Sequence, residues 1–375
     1  MQFKEVVGQQ KIKERLIHTV DENRISHAQL FLGPEGSGNL ALAIAYAQYI
    51  SCSNKQNNDS CGVCSSCLKF KKLIHPDLHF VFPVATSKTV NKDPVSDDYI
   101  SQWRATIVEN PYINQHRWYE IIEIENKQGI ISKNESYEIL RKLNLKTFES
   151  EYKFMIIWLP EKMNTYAANK LLKFIEEPPE KTLFLLVSEN SEQIIPTILS
   201  RTQLIKIPKI DNNSIYSAVC DQLGVLPEKA DDIVHLANGN YFEALNLVRA
   251  GDEGLEHFER FTSLMRLAYQ RKIIDIIDWV DEVARIGREK QKGFLAYSLR
   301  ILRENFMLNI QRNEIVYLTQ KELEFSKNFA QFIHPQNVGP LYEVFNRAHA
   351  DIEMNAYNKI VFLDAALKIV KLIKK

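Results

Sequence analysis

AQLFLGPEGSGNLALAIAYAQYI (28–50) is the stretch that decides the fold. Its first five residues form an apolar run of strand length. GPEGSG is a turn, and LALAIAYAQYI (40–50) is a helix former with apolar residues on every side. Strand, glycine-rich turn and helix in that order open an α/β nucleotide-binding domain. A working phosphate loop reads G-x-x-x-x-G-K-[ST]: the glycines let backbone amides wrap the phosphates, the lysine neutralises them, and the hydroxyl holds Mg²⁺. Here Gly33, Gly36 and Gly38 are present, but Asn39 stands at the lysine position and Leu40 at the hydroxyl position. The loop keeps its bend and loses its cation and metal ligand. The loop alone is equally well read as a plain strand-to-helix turn.

Working outward, KFMIIWL (153–159) and TLFLLVS (182–188) are further buried-strand patterns, with HPDLHFVFP (75–83) before them and QLIKI (203–207) after. Helical patterns fill 132–146 and 165–177, the second stopped by Pro178 and Pro179. Such alternation predicts a parallel sheet with helices on both faces. Residues 4–20 read as an amphipathic helix on Ile12, Leu16 and Val20. Residues 84–126, polar with several aromatics, read as an irregular surface insertion. After about residue 208 the strand signals stop. Short helices are expected over 213–250, with a break at Gly239-Asn240, and longer ones over 255–375.

A nucleotide hydrolase also needs an acidic pair at the end of a neighbouring buried strand, one carboxylate for Mg²⁺ and one for the attacking water. KFMIIWL ends on Trp158 and Leu159, and Glu161 comes two residues late, where an acid at a helix start is ordinary. Loop cation, loop hydroxyl and acidic pair are missing together. That is the pattern of an ATPase fold retired from catalysis.

Four of the five cysteines are crowded as Cys52-x8-Cys61-x2-Cys64-x2-Cys67. A C-x2-C turn lets two thiolates converge on one ion, and four thiolates close a tetrahedral shell, so the reading is a structural Zn²⁺ site. An iron–sulfur cluster or redox disulfides remain alternatives. His75 and His79 are surplus to four thiolates, and the run Lys69, Lys71, Lys72 reads as a solvated helix face. Cys220 reads as a small buried hydrophobe.

The 375 residues suffice for two or three domains. Lys+Arg and Asp+Glu both number 47, which argues against a strongly basic nucleic-acid binder. Neither a signal-peptide pattern nor an apolar run of membrane-spanning length is seen, so a cytoplasmic location is expected.

Three segments carry a resemblance. ANKLLKFIEEPP (168–179) resembles the A-N-A-L-L-K-x-L-E-E-P-P signature of clamp-loader ATPases and is followed at the same spacing by TLFLLVSENSEQIIPTILSRTQLIKI (182–207). RISHAQLFLGPEGSG (24–38) resembles the H-A-x-L-F-x-G-P-x-G-x-G of that family, and FKEVVGQ (3–9) its N-terminal box. The likeness, over about 1–210, is to AAA+ clamp-loader subunits. Within them it falls with the delta-prime type of bacterial DNA polymerase III, which keeps the fold and a zinc module of this spacing but lacks the loop lysine and acidic pair. The lid motif G-[SN]-x-R-x-A reads Gly239 to Ala244 with Phe242 at the arginine position, a further loss of nucleotide contact.

The resemblance implies an AAA+-like α/β domain over 1–208, with the zinc module at 52–67 and the insertion at about 84–126. A helical lid over 209–252 and a helical collar for oligomerisation over 253–375 follow. It implies DNA replication as the setting. The partners implied are gamma/tau- and delta-type subunits, with the sliding clamp and primed DNA reached through a hetero-oligomeric complex, and no membrane. ATP would be hydrolysed elsewhere in the complex, although loop amides can still hold a phosphate weakly. The S-R-C motif of the family reads Ser200-Arg201-Thr202, which keeps the arginine. The resemblance makes Arg201 an arginine finger for a neighbour's nucleotide; by itself it reads as a structural arginine paired with a carboxylate. The rival functions are an active gamma/tau-like ATPase, opposed by Asn39, Leu40, Trp158 and Leu159, and a zinc-dependent nucleic-acid-binding module, opposed by the even charge.

Overall fold

A computed structural model describes residues 1–90, 92–125 and 127–373. The chain packs as two compact units, one comprising Met1–Gln222 with Asn238–Ala244, the other Leu223–Ala237 with Leu245–Lys375.

The first unit is the expected α/β domain. Helix α1 (Gln10–Asp21) precedes β1 (Ala28–Leu32), α2 (Asn39–Ser51), α3 (Ser65–Lys71) and β2 (Leu78–Val81). Then come α4 (Ile100–Glu109), α5 (Gln115–Ile121), α6 (Lys133–Leu143), β3 (Lys153–Trp158) and α7 (Thr165–Glu176). β4 (Thr182–Ser188), α8 (Pro196–Leu199), β5 (Gln203–Lys206) and α9 (Asn212–Leu223) complete the run. The five strands are all parallel in the order β2-β3-β4-β1-β5. β3 and β4 are buried along their whole length, which explains their unbroken apolar sequence. Helix α2 is buried from Asn39 to Tyr49, as a helix apolar on all sides must be.

Four details differ from the sequence reading. The N-terminal helix does not run through 4–20: Gly8 and Gln9 take left-handed backbone (φ 61° each), and only a 3-10 turn, Phe3–Glu5, lies before them. The strand near 75–83 contracts to Leu78–Val81, because Pro76 and the Asp77 turn precede it. The insertion is not irregular. It forms α4 and α5 around a buried aromatic cluster in which Trp103 stacks on Phe82 (4.3 Å between centroids), with Trp118 and Trp158 at 5.0 and 5.2 Å. Cys220 is only half-buried.

The second unit is helical: α10 (Pro227–Ala237), most of α11 (Tyr241–Gln270), α12 (Ile273–Arg285), α13 (Arg288–Asn309), α14 (Gln320–Phe329), α15 (Val338–Glu353) and α16 (Asn358–Leu372). Its core gathers Phe261, Trp279, Phe294, Phe345 and Phe362. Among the described residues no helix is long and apolar enough to cross a membrane.

Candidate functional site

The sheet register explains why distant segments meet at one crevice. Leu32 lies beside Ser188, and Val187 beside both Phe31 and Trp158, so β1, β4 and β3 end at the same level. Ligands of open α/β sheets bind at such strand ends, next to the turn into the following helix. The phosphate-type loop turns there, with Gly36 and Gly38 in left-handed backbone (φ 70° and 88°). A Cβ on Gly36 would come within 1.8 Å of the Asn240 side chain, so this position requires glycine.

The loop's chemistry has become structural. The Asn39 amide donates to the Gly33 and Ser188 carbonyls (2.8 and 3.2 Å), and its oxygen accepts from the Ser37 hydroxyl. A side chain that would otherwise reach for phosphate thus ties the loop to the end of β4. Leu40 is buried and offers no metal ligand. Trp158, at the end of β3, joins the aromatic cluster of the insertion where an acid would serve a hydrolase. Gln9 fastens the loop from the N-terminal side, its amide donating to the Ser37 and Pro208 carbonyls (3.0 and 2.7 Å).

Gly36, Gly38, Asn39, Leu40, Trp158, Val187 and Glu189 line a single cavity with Pro111, Tyr112 and Ile113, and its volume is only about 20 Å³. Burial pushes the Glu189 carboxyl up to about 7, and like charge from Glu35 and Glu161 adds to the rise. Burial also raises Glu161. Of these glutamates only Glu189 lines the cavity, and no lysine or arginine among the described residues does, so the loop mouth offers a phosphate no cation. Tyr112 and Glu189 escaped the sequence reading. The aromatic content of the insertion was the available signal, but nothing in the sequence says where Tyr112 points.

Arg201 follows α8 and lies outside that cavity. Its Nε donates to Glu176 at the end of α7, and Nη1 donates to the Thr197 carbonyl and the Ser200 hydroxyl (3.1 and 3.2 Å). The Arg201 side chain is 38% exposed. An exposed pair of this kind contributes about 0–1 kcal/mol, so it holds the arginine in place without committing it. Thr202 donates its hydroxyl to Ile198 (3.1 Å) and closes the turn.

The four clustered cysteines converge. Their sulfurs all lie within 4.8 Å of one another, and no disulfide joins them. A tetrahedron of thiolates at zinc distances has sulfur–sulfur edges of about 3.8 Å; Cys61 and Cys67 are separated by 3.9 Å. Amides of Cys61, Cys64 and Cys67 donate to the sulfurs of Cys52, Cys61 and Cys64 (3.2, 3.3 and 3.5 Å). Burial pushes the Cys52 and Cys67 thiols up. The Val63 and Cys64 amides hold Cys61 down. Against its own burial, Cys64 is held at about 6 by the Cys67 and Ser53 amides. Four sulfurs this close ionise together only around a cation, and these residues fit a Zn²⁺ ion. The ion would supply a cross-link between the end of α2 and the start of α3. It would supply no open coordination position for chemistry. His75 is buried outside this set, its ring nitrogen accepting from the Asp77 amide (3.2 Å).

Residues 8–211 match the family described as DNA polymerase III, delta subunit. The chain is 25% identical to the DNA polymerase III subunit delta' of Bacillus subtilis over 351 residues, covering 92% of each chain. It is 22% identical to the DNA polymerase III subunit tau of the same organism, covering 98% of this chain and 61% of the relative. Among solved structures, the Bacillus subtilis DNA clamp loader delta protein matches at 11% identity and a TM-score of 0.37, over 97% of this chain and 100% of that one.

Proposed function

The chain belongs to the DNA polymerase III delta-subunit family, and from that membership as a clamp-loader subunit we propose that it is the non-hydrolysing, delta-prime type of component. The observation that carries this reading is Asn39, whose amide is spent on the Gly33 and Ser188 carbonyls where a hydrolase would present a lysine to phosphate. Leu40 and Trp158 support it, because neither can hold Mg²⁺. The role is then that of a stator. The chain assembles with gamma/tau- and delta-type subunits in the cytoplasm and helps to load the sliding clamp onto primed DNA with ATP hydrolysed by its neighbours. The zinc knuckle of Cys52, Cys61, Cys64 and Cys67 is structural. The division proposed is an α/β domain over 1–208, a lid over 209–252 and a collar over 253–375.

The same reading gives Arg201 to a neighbouring subunit's nucleotide. A chain without loop lysine, acidic pair or lid arginine has no γ-phosphate of its own to sense. A planar, permanently charged guanidinium held by a weak surface pair is well suited to reach one across an interface. Arginine fingers change rates by roughly 10³–10⁵ at the site they serve. The test is ATP turnover by the reconstituted complex carrying Arg201→Ala. Assembly is retained and turnover falls in part, since one site of several is affected, and Arg201→Lys rescues poorly. Wild-type turnover would leave Arg201 as the partner of Glu176 and nothing more.

A further inference from the structure

The insertion does more than cover the surface. We propose that Pro111–Tyr112–Ile113 is a built-in plug, with Tyr112 lying in the nucleotide cleft as a permanent internal substitute for a ligand. The proposal rests on the non-hydrolysing reading and goes one step past it: occupancy, and not turnover alone, is excluded.

Four contacts place the plug. The Tyr112 ring lies against the backbone of Gly38, 3.2 Å from where a Cβ would stand. Its hydroxyl accepts the Val7 amide (2.7 Å), joining the cleft to the N-terminal segment. Its ring meets Tyr241 edge-on at 4.8 Å, and the Tyr241 amide donates to the Gly36 carbonyl (3.1 Å). Phosphate loop, N-terminal segment and the turn at 238–241 are thus held by one side chain.

The plug is built rather than incidental. Asn110 binds the backbone of Tyr112 twice, its Nδ2 donating to the carbonyl and its Oδ1 accepting the amide (3.0 Å each). Pro111 fixes the residue between them. The flanking helices α4 and α5 are anchored by Trp103 and Trp118, both fully buried, and the Trp118 indole donates to the Pro83 carbonyl (3.0 Å). What remains of the cleft is about 20 Å³, room for one water, whereas sites for small ligands run to roughly 300 Å³ or more. No lysine or arginine among the described residues lines it to attract a phosphate.

The experiment uses the full chain, with ADP binding followed by calorimetry and amide hydrogen exchange followed over 5–9 and 36–42. Wild-type protein gives no binding heat with ADP, and its Val7 amide is protected without nucleotide and unchanged by it. Tyr112→Ala exposes the Val7 amide and binds ADP with measurable heat, at least about tenfold tighter than the detection limit that bounds the wild type. ADP binding by the wild type with new protection at 36–42 would overturn the plug. So would a folded, zinc-loaded Tyr112→Ala that binds no better, since lost phosphate chemistry would then close the cleft unaided. If Tyr112→Ala does not fold, Tyr112→Leu, which keeps an apolar anchor for the segment but loses the hydroxyl and ring, is read against the same two outcomes. Binding by the wild type without ATP turnover contradicts the plug alone; turnover by the wild type contradicts the non-hydrolysing reading beneath it.

Discussion

The cysteine knuckle and the phosphate-type loop are two turns at opposite ends of the same helix, α2, and they differ in where their chemistry comes from. The knuckle's ligands lie within one short stretch, and its amides donate to its own sulfurs. The loop is defined by what it lacks, and residues far away in sequence complete its closure: Tyr112, Trp158 and Glu189 all line the same small cavity. A metal site can therefore be read from its ligands alone. Asn39 and Leu40 can be read from the loop as well, but the residues that close its cavity come from elsewhere in the chain and cannot.

That contrast is open to attack from both sides. The largest expected effect is at the knuckle. Cys64→Ser should release the metal, from about one equivalent per chain to essentially none, while circular dichroism shows the sheet still folded, because its core lies in β1, β3 and β4. Retention of a full equivalent would mean that Cys64 is not a ligand. Next is the insertion. Trp103→Ala should destabilise the unit by about 3–5 kcal/mol in denaturant unfolding, since Trp103 packs on Phe82, Trp118 and Trp158. A loss within about 0.5 kcal/mol, as for an ordinary surface change, would show that the insertion is an appendage and not part of the core.

The smallest expected effect is on pH dependence. His79 lies on β2, between knuckle and insertion in sequence. Burial, with repulsion from Lys142 and Lys153 behind it, depresses its pKa from 6.5 to about 4. A depressed histidine binds its proton less readily folded than unfolded. Its contribution is therefore fully present above about pH 6.5 and is lost as pH falls towards 4. His79→Gln should flatten the stability profile across that window. An unchanged slope between wild type and variant would assign the acid sensitivity to other groups.

Much of this was legible in the sequence. β4 runs from Thr182 to Ser188 as its apolar run suggested, and β1 and β3 follow theirs closely, because fully buried strands leave no polar position to blur their limits. The four cysteines were readable for the same local reason. The N-terminal helix was drawn too long: Ile12, Leu16 and Val20 do lie in α1, but Gly8 and Gln9, in left-handed backbone, break the chain before it. The insertion was misjudged because its helices are short and its polar ends dominate the composition. Trp103 and Ile107 do stand one helical turn apart in α4, but four residues give a weak period. The direction of Tyr112 was out of reach, since it depends on how α4 and α5 pack and on the Asn110 clasp.

On the reading proposed above, this α/β unit keeps the form of a nucleotide hydrolase without its chemistry. The measurement that tests it most directly is phosphate release from ATP by the purified, zinc-loaded chain, with and without primed DNA. None is expected above the buffer blank in either case, because Asn39, Leu40 and Trp158 supply neither phosphate cation nor Mg²⁺ ligand. Turnover that rises in proportion to the protein and survives further purification would contradict it.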